Sequence, residues 1–148
     1  MIRLEEITPE NWRLGLCVSE EQKHYVADSA KLLARAYAYR ESRSRAFLIS
    51  ADDVPVGMAL YYDCEELQAY EFSQFFIDAR YQGRGYGIAA AREILRLMEQ
   101  DGKFRKVVLC YIEGNEAARS LYEKLGFAPT GVQDEDEIVM EMSFSPFN

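Results

Sequence analysis

The segment Gln82-Gly-Arg-Gly-Tyr-Gly87 contains the residue types that most directly indicate a chemical role in this sequence. Glycine lets a backbone approach a ligand closely, and the unpaired N–H groups at a helix start carry partial positive charge. Residues 79–92 include Arg80, Arg84 and Arg92 but no acidic residue. The segment is therefore expected to be either a cradle for a pyrophosphate group or an ordinary glycine-rich turn between a strand and a helix.

The spacing of the glycines disfavours two common nucleotide-binding motifs. A P-loop requires Gly-Lys-Ser/Thr after its glycines, whereas this sequence continues as Gly87-Ile88-Ala89. A dinucleotide-binding fold requires G-x-G-x-x-G and an acidic residue about 20 positions further on. Here the spacing is G-x-G-x-G, and that position falls near Val107, inside an apolar run. Nucleotide binding is therefore only a weak competitor.

The residues on either side place the glycine-rich segment between a strand and a helix. Residues 69–77 are largely apolar and aromatic and predict a strand that ends just before it. After it, apolar residues recur at helical spacing as far as Asp101-Gly102, which is typical of a helix end. Residues 106–112 then predict a buried strand, and residues 116–125 predict a helix that is followed by Gly126.

The N-terminal half predicts a strand, two helices and a hairpin. Residues 3–7 alternate like a strand, and residues 9–12 have the composition of a helix start. Ser19 and Gln22 have the spacing of a capping box, and apolar residues then follow one helical face towards Tyr39. Residues 46–50 and 56–62 predict a hairpin, and residues 138–144 a closing strand. We therefore expect one α/β domain over residues 1–148.

The composition argues against several classes of protein. No apolar run approaches the ~20 residues of a membrane helix and the N-terminus does not resemble a signal peptide, so a cytoplasmic protein with no membrane partner is expected. The net charge of −8 disfavours nucleic acid as a partner. His24 is the only histidine, and Cys17, Cys64 and Cys110 are widely spaced, so no metal is expected. Buried free thiols are the expectation for the cysteines.

Two motifs resemble the Gcn5-related N-acetyltransferase (GNAT) superfamily. Gln82-x-x-Gly85-x-Gly87 is similar to the coenzyme A signature of that family, R/Q-x-x-G-x-G/A. Asn115-Glu-Ala-Ala-Arg-Ser-Leu-Tyr-Glu-Lys-Leu-Gly-Phe127 resembles its C-terminal motif of Asn, Tyr and Gly-Phe. The resemblance covers residues 69–127 well. It implies the α/β GNAT fold, in which a mixed, mostly antiparallel central sheet is splayed between its fourth and fifth strands and flanked by helices.

The resemblance also implies transfer of an acetyl group from acetyl-coenzyme A (acetyl-CoA) to an amine nitrogen. The cofactor-binding residues that it implies are Phe75, Phe76 and Ile77 on the strand, Gln82, Gly83, Arg84, Gly85, Tyr86 and Gly87 around the pyrophosphate, and Asn115 near the pantetheine arm. Asn115 has an ordinary alternative role as the N-cap of its helix, and it could serve both purposes.

The resemblance implies that Tyr122 is the general acid for the leaving thiolate, although its position also suits a packing residue of the core. Glu71 is the candidate general base, because it lies on the strand that leads to the glycine-rich segment. We expect it to share a face with Ser73 and Phe75, and an exposed strand residue is its alternative reading. The backbone N–H of Phe75 or Phe76 is the candidate donor to the developing oxyanion.

A weaker likeness suggests the acceptor. The runs Val18-Ser-Glu-Glu-Gln22 and Tyr25-Val-Ala27, with the glycine-rich segment, are similar to bacterial spermine/spermidine acetyltransferases of the superfamily. They suggest a polyamine, which Glu20, Glu21 and Asp28 could meet if they do not simply form a solvated helix face. An amine of a protein or an antibiotic is an alternative acceptor, and an acyl-CoA sensor without turnover is an alternative function. Homodimers are frequent in this fold.

Overall fold

The computed structural model describes residues 1–145, which contain seven strands and three α-helices. The strands are β1 (Ile2–Glu6), β2 (Arg45–Ala51), β3 (Val54–Cys64), β4 (Ala69–Ile77), β5 (Lys106–Ile112), β6 (Ala128–Asp134) and β7 (Glu137–Ser143). The helices are α1 (Ser29–Ala38), α2 (Tyr86–Asp101) and α3 (Glu116–Lys124). All seven strands form one sheet in the order β1-β2-β3-β4-β5-β7-β6.

Neighbouring strands of this sheet run antiparallel except for β4 and β5, which are parallel. α2 forms the crossover that a parallel pair requires. The parallel ladder has only three residue pairs, from Ala69 opposite Lys106 to Glu71 opposite Val108, and the two strands diverge beyond it. The predicted fold is therefore confirmed: the sheet is mixed, mostly antiparallel, and splayed between its fourth and fifth strands.

A β-bulge in β4 changes the direction of its side chains. Phe72 and Gln74 lie opposite consecutive residues of β3, so Ser73 has no opposite residue there. One extra residue shifts the alternation of faces for every residue beyond it. Phe75 therefore turns to the same face as Phe72, and their ring centroids lie 5.5 Å apart.

Different helices cover the two faces of the sheet. α2 packs on one face through five buried residues, Ala90, Ala91, Ile94, Leu95 and Met98. α1 lies on the other face, where its buried Leu32 packs with Leu60 and Phe76 of the sheet. No helix within residues 1–145 combines the length and the apolar composition that crossing a membrane requires. Between the two apolar layers, β3 and β4 are held rigidly on both faces.

Most predicted elements are confirmed. β4 and β5 have the predicted bounds, and β2 and β3 form the predicted hairpin around a turn at Asp52 and Asp53. α2 ends at Asp101, after which Gly102 has a φ of 76° and donates to the carbonyl of Met98. These elements carry strong local signals, namely apolar runs of strand length and glycine where the backbone turns left-handed.

The helix starts predicted near the N-terminus are wrong. Residues 9–13 form turns, and Ser19 precedes only a short 3-10 segment (Glu20–Gln22) without making a capping bond. α1 begins much later, at Ser29, where the carboxylate of Asp28 accepts a hydrogen bond from the N–H of Lys31 at 2.8 Å. That bond satisfies one of the orphan donors of the first helical turn, which stabilises the later start.

The sequence pattern does not predict β6, because its strand-favouring Thr130 and Val132 are interspersed with residues that disfavour strands. All seven of its residues are exposed, and they include Pro129 and Gly131, which both disfavour strands. β6 forms as the edge strand beside β7, to which it pairs at its two ends. Long-range pairing therefore overrides local propensity in this segment.

A cluster of ion pairs joins β3 to the C-terminal end of α2. The buried carboxylate of Asp63 accepts hydrogen bonds from Arg43 and Lys103 at 2.6 and 3.2 Å, and Arg43 also binds Asp101 at 3.0 Å. Burial by itself would raise the pKa of Asp63, but hydrogen bonds from Arg43 and Lys103 outweigh it and lower that pKa. Hydrogen bonds from Arg43 and Tyr70 likewise lower the pKa of Asp101.

We expect these carboxylates to make the fold sensitive to acid. Both have a lower pKa when folded than when unfolded, so their contribution is complete above the unfolded value of ~3.9 and is lost as the pH falls through the folded values. Asp101→Asn should lower the free energy of unfolding near neutral pH by about 1–2 kcal/mol and flatten its decline below about pH 4. Urea unfolding as a function of pH measures both effects.

The control for this experiment is Asp53→Asn on the exposed hairpin turn, which should keep the pH dependence of the unmodified protein. An Asp101→Asn variant whose stability declines as steeply in acid as that of the unmodified protein would contradict the assignment.

Candidate active site

A cleft of ≈ 1130 Å³ opens where β4 and β5 diverge, bounded by the starts of α2 and α3 and by one side of α1. Ten of the twelve site residues suggested by the sequence line it. They are Glu71, Phe75, Phe76, Ile77, Gln82, Gly83, Tyr86, Gly87, Asn115 and Tyr122. Arg84 and Gly85 do not line it, although they lie in the same loop.

The start of α2 offers unpaired N–H groups at one end of the cleft. Gly83 and Gly85 have φ values of 79° and 83°, in the left-handed region that favours glycine. The first intrahelical bond runs from the N–H of Ala89 to the carbonyl of Gly85 at 3.3 Å. The N–H groups of Tyr86 and Gly87 precede it and have no helical acceptor. Together with the partial positive charge of a helix start, these N–H groups can serve as a site for an anion.

The side chains of Gln82 and Arg84 shape the loop from within. The amide of Gln82 donates to the carbonyl of Ile77 at 2.8 Å and to the side chain of Gln22 at 3.0 Å. Gln82 thus joins the loop to the end of β4 and to the segment before α1. Arg84 donates to the carbonyl of Arg80 at 3.5 Å. In this arrangement the backbone N–H groups of the loop remain available to an anion.

Buried Asp78 holds this loop in place, and the sequence reasoning missed it. Its carboxylate accepts hydrogen bonds at 2.9 Å from the N–H of Cys17 and from both the N–H and the Nε of Arg80. Burial alone would raise the pKa of Asp78, but these bonds lower it below its usual value. One local signal was present, since an Asp directly after a strand is a common cap for a following helical turn.

The edge of β4 that faces β5 has no strand partner beyond Glu71. Phe75, Phe76 and Ile77 line the cleft along this part of β4. Backbone N–H and C=O groups on such an edge must find another partner, and an extended ligand can supply it by adding alongside the strand. The three residues suggested by the sequence therefore lie where a ligand chain has backbone groups to bind.

α3 contributes Tyr122 and Asn115 to the cleft. Tyr122 is 9% exposed, and its ring packs against Phe72 and Phe127 with centroids 6.3 and 5.8 Å apart. Burial raises the pKa of its phenol. Within residues 1–145 its hydroxyl has no hydrogen-bond partner, so it can donate to a group in the cleft. Asn115 is the N-cap of α3, which is one of the two roles predicted for it. Its side-chain oxygen accepts a hydrogen bond from the N–H of Ala118 at 3.2 Å.

Glu71 lines the cleft from the α1 side of the sheet, whereas Tyr122 lines it from the α2 side. Its carboxylate accepts a hydrogen bond from the hydroxyl of Tyr62 at 2.7 Å, and Tyr39 stacks on the Tyr62 ring at 4.1 Å. Burial, and also the bond to Glu71, raise the pKa of Tyr62, which therefore stays protonated and holds the carboxylate in position. No local pattern marks Tyr62 as a site residue, because only the pairing of β3 with β4 places it opposite Glu71.

The expectation that Glu71 shares a face with Phe75 is wrong, and the bulge at Ser73 is the reason. Ser73 is on the α1 side of the sheet, where its hydroxyl accepts a hydrogen bond from Arg35 at 3.1 Å. Phe75 instead belongs to the apolar layer under α2. The bulge thus separates a polar side of the cleft, which contains Glu71, from an aromatic side, which contains Phe75.

α1 adds Lys31 and Arg35 to the polar side of the cleft, and Tyr39, the residue after its end, adds an aromatic ring. Three carboxylates were candidates for binding a polycation, namely Glu20, Glu21 and Asp28. None of them lines the cleft. Glu20 pairs with Lys23 at 2.6 Å, and Asp28 caps α1. Among the described residues, Glu71 and Glu137 are the carboxylates that line the cleft.

The cysteines are more exposed than the sequence predicted. The expectation of buried thiols is wrong, because Cys17 and Cys110 are exposed and Cys64 is partly exposed. Cys110 lines the cleft, but partial burial and the charges of Glu137 and Glu71 raise its pKa, which makes it a weak nucleophile at neutral pH. In the part of the chain that the structure describes, no three potential metal ligands lie together.

The chain is similar to known proteins over most of its length. Residues 4–127 match the model of the acetyltransferase (GNAT) family. The chain is also 28% identical over 141 residues to a spermine/spermidine N(1)-acetyltransferase from Bacillus subtilis (strain 168), with 90% of this chain and 91% of that protein aligned.

Two solved structures share the fold at low sequence identity. An acetyltransferase from Thermus thermophilus superposes with a TM-score of 0.79 at 18% identity and covers 97% of each chain. A spermidine N-acetyltransferase from Vibrio cholerae, in complex with CoA and spermine, superposes with a TM-score of 0.74 at 18% identity. That superposition covers 96% of this chain and 95% of the other.

Proposed function

The chain belongs to the acetyltransferase (GNAT) family, and on that premise we propose that it transfers the acetyl group of acetyl-CoA to the nitrogen of a small amine. One observation carries the proposal. The cleft between β4 and β5 combines an anion-binding helix start, an unpaired strand edge, a free tyrosine hydroxyl and a carboxylate. Each of these features can serve a step in the transfer of an acetyl group from a long thioester to an amine.

The cofactor-binding proposal follows the shape of the cleft. The pyrophosphate of acetyl-CoA would bind the N–H groups at the start of α2, between Gly83 and Gly87, because anions are stabilised there. The pantetheine arm would lie along Phe75, Phe76 and Ile77, where backbone groups of β4 lack a strand partner. The CoA-bound Vibrio cholerae structure has the same fold, which supports this use of the cleft.

The reaction would proceed by direct attack of the amine on the thioester. Glu71, held by Tyr62, would take a proton from the substrate ammonium directly or through water, which frees the nitrogen lone pair. The nitrogen then bonds to the acetyl carbon, and a backbone N–H of β4 near the bulge would stabilise the oxyanion. The C–S bond then breaks and expels CoA as a thiolate, and the nitrogen loses its remaining extra proton, to that thiolate or to water, which leaves the neutral amide and free CoA. The raised pKa of Cys110 argues against an acetyl-cysteine intermediate.

Tyr122 would assist the departing thiolate as a hydrogen-bond donor. A phenol has a reference pKa of ~10 and a thiol of ~8.5, so complete proton transfer from phenol to thiolate is uphill. Burial raises the pKa of Tyr122 and adds to this difference. Its hydroxyl would therefore stay protonated and stabilise, through a hydrogen bond, the negative charge that develops on sulfur.

The structure says less about which amine accepts the acetyl group than about how the transfer would proceed. Spermine or spermidine is the acceptor suggested by the Bacillus subtilis and Vibrio cholerae proteins, and this support rests on likeness alone. The lining of the cleft adds no support for it, since Glu20, Glu21 and Asp28 lie outside. Release of CoA from acetyl-CoA, measured across polyamines, amino acids, aminoglycosides and peptides, tests the proposed activity. No release with any acceptor would refute it and favour an acyl-CoA sensor.

The cofactor placement predicts that Gly85→Val weakens binding of acetyl-CoA. Valine strongly disfavours the φ of 83° at this position, so the loop and the first N–H groups of α2 should shift. Gly102→Val is the matched control, because it imposes the same backbone strain at the other end of α2, outside the cleft. Calorimetry should show a loss of affinity of roughly tenfold or more for Gly85→Val alone. Equal affinities in the two variants would refute the placement.

The role of Tyr122 predicts a loss of turnover without a loss of fold. Tyr122→Phe keeps the ring between Phe72 and Phe127, so the melting temperature and the KM for acetyl-CoA should change little. Both kcat and kcat/KM should fall together by about 10²-fold, the lower end for a general acid or base, because a thiolate leaves tolerably without help. Steady-state kinetics measure both constants. A folded variant with near-normal kcat would reduce Tyr122 to a packing residue.

A further inference from the structure

α1 directs a stripe of cations and an aromatic ring at the polar side of the cleft. Lys31, Arg35 and Tyr39 recur at intervals of four residues, so they occupy one side of the helix, and all three line the cleft. Tyr39, just past the helix end, stacks on Tyr62, which in turn donates to Glu71. The stripe therefore runs beside the carboxylate that the proposed function assigns as the base.

These two cations lack carboxylate partners, although the chain has acidic groups in excess. The net charge is −8, and cations such as Lys23, Arg43 and Arg80 each bind a carboxylate. Within residues 1–145, Lys31 has no side-chain partner, and Arg35 donates only to the hydroxyl of Ser73, at 3.1 Å. An exposed guanidinium with only a neutral partner retains most of its capacity to bind an anion.

Helix stability does not account for Lys31. It is the third residue of α1, and a positive charge in the first turn of a helix is unfavourable because the free N–H groups there are already partially positive. An acidic residue at position 31 would therefore stabilise the helix more than lysine does. A function in the cleft would account for a lysine at this position.

The positions of the charges define a short molecule with two ends. Arg35 is bound at Ser73, two residues along β4 from Glu71, which corresponds to roughly 7 Å along a strand. The hydrogen bonds of the Arg35 and Glu71 side chains go to Ser73 and Tyr62, not to each other. A ligand with an ammonium group at Glu71 and an anionic group a few bonds away would satisfy both.

We propose that the acceptor is a small amine that also carries an anionic group, a carboxylate or a phosphate, bound by Arg35 and Lys31. This rests on the proposed acetyltransferase function and specifies its substrate class. A guanidinium binds either oxyanion through two parallel hydrogen bonds, and Lys31 adds charge. An acceptor with several ammonium groups and no anion, such as spermidine, would instead bring further positive charge into a cleft that Lys31 and Arg35 also line.

Matched acceptors test the class. We would measure CoA release from acetyl-CoA with L-amino acids and their carboxamides, which differ in the anionic group, with aminoalkyl phosphates, and with spermidine. The expected result is a kcat/KM at least about tenfold higher for one anionic series than for the carboxamides and spermidine. The better series distinguishes a carboxylate from a phosphate. Spermidine as the best acceptor would overturn this proposal while leaving the acetyltransferase function intact, whereas no release with any amine would refute both.

Variants of Arg35 identify the ligand of the cations. Arg35→Gln removes the charge at an exposed position, so the fold should be unaffected. The KM for the anionic acceptor should rise about 10- to 100-fold, and Arg35→Lys should restore part of the loss. The KM for acetyl-CoA and the kinetics with carboxamides should not change. Arg40→Gln, near the end of the same helix but outside the cleft, is the control and should behave like the unmodified protein.

The same variants test the main alternative ligand, the phosphates of CoA. A rise in the KM for acetyl-CoA in Arg35→Gln, without a change in the KM for the acceptor, would show that the cations bind the cofactor and would overturn the proposal.

Discussion

The parallel ladder between β4 and β5 stops after three residue pairs, and the site is built around the gap that this leaves. Backbone groups beyond Glu71 on the open edge of β4 cannot stay unpaired in a dry interior, so they must face water or a ligand. Two longer ladders hold the gap open, because β4 pairs along its whole length with β3, and β5 pairs along its whole length with β7. α2, which connects β4 to β5, closes one end of the gap with its N-terminus.

The bulge at Ser73 gives the two sides of this gap different chemistry. Without it, strict alternation would put Phe75 on the α1 side of the sheet beside Glu71, and the aromatic layer near Tyr122 would lose a member. With it, Tyr122 meets the cleft from an apolar layer, whereas Glu71 meets it from a polar one. A low-polarity setting strengthens the hydrogen bond that a phenol donates to a developing thiolate. A polar and wetter setting allows a carboxylate to remain charged and to accept a proton.

The sequence predicted the features that depend on residues close together in the chain, and it did not predict those that depend on residues far apart. The bounds of β4, the helix end at Gly102 and the cap at Asn115 depend on neighbours a few residues away, and all three were predicted. The start of α2 was also found locally, because glycines are needed where φ is positive. In contrast, Tyr62 and Arg35 gain their significance from partners on other elements. Their roles arise from strand register and helix packing, which no local pattern specifies.

The net charge of the chain is a poor guide to the charge that a ligand meets. The value of −8 summarises the whole surface, and many of its carboxylates, such as those of Glu99 and Glu135, lie outside the cleft. At physiological ionic strength, charges more than about 8 Å away are largely screened, so distant acidic groups act mainly on diffusional encounter. Inside the cleft the nearby charges decide, and the cleft lining includes Lys31 and Arg35 as well as Glu71 and Glu137. An acidic protein can therefore select an anionic amine, because selection depends on the few charges within hydrogen-bonding reach of the ligand.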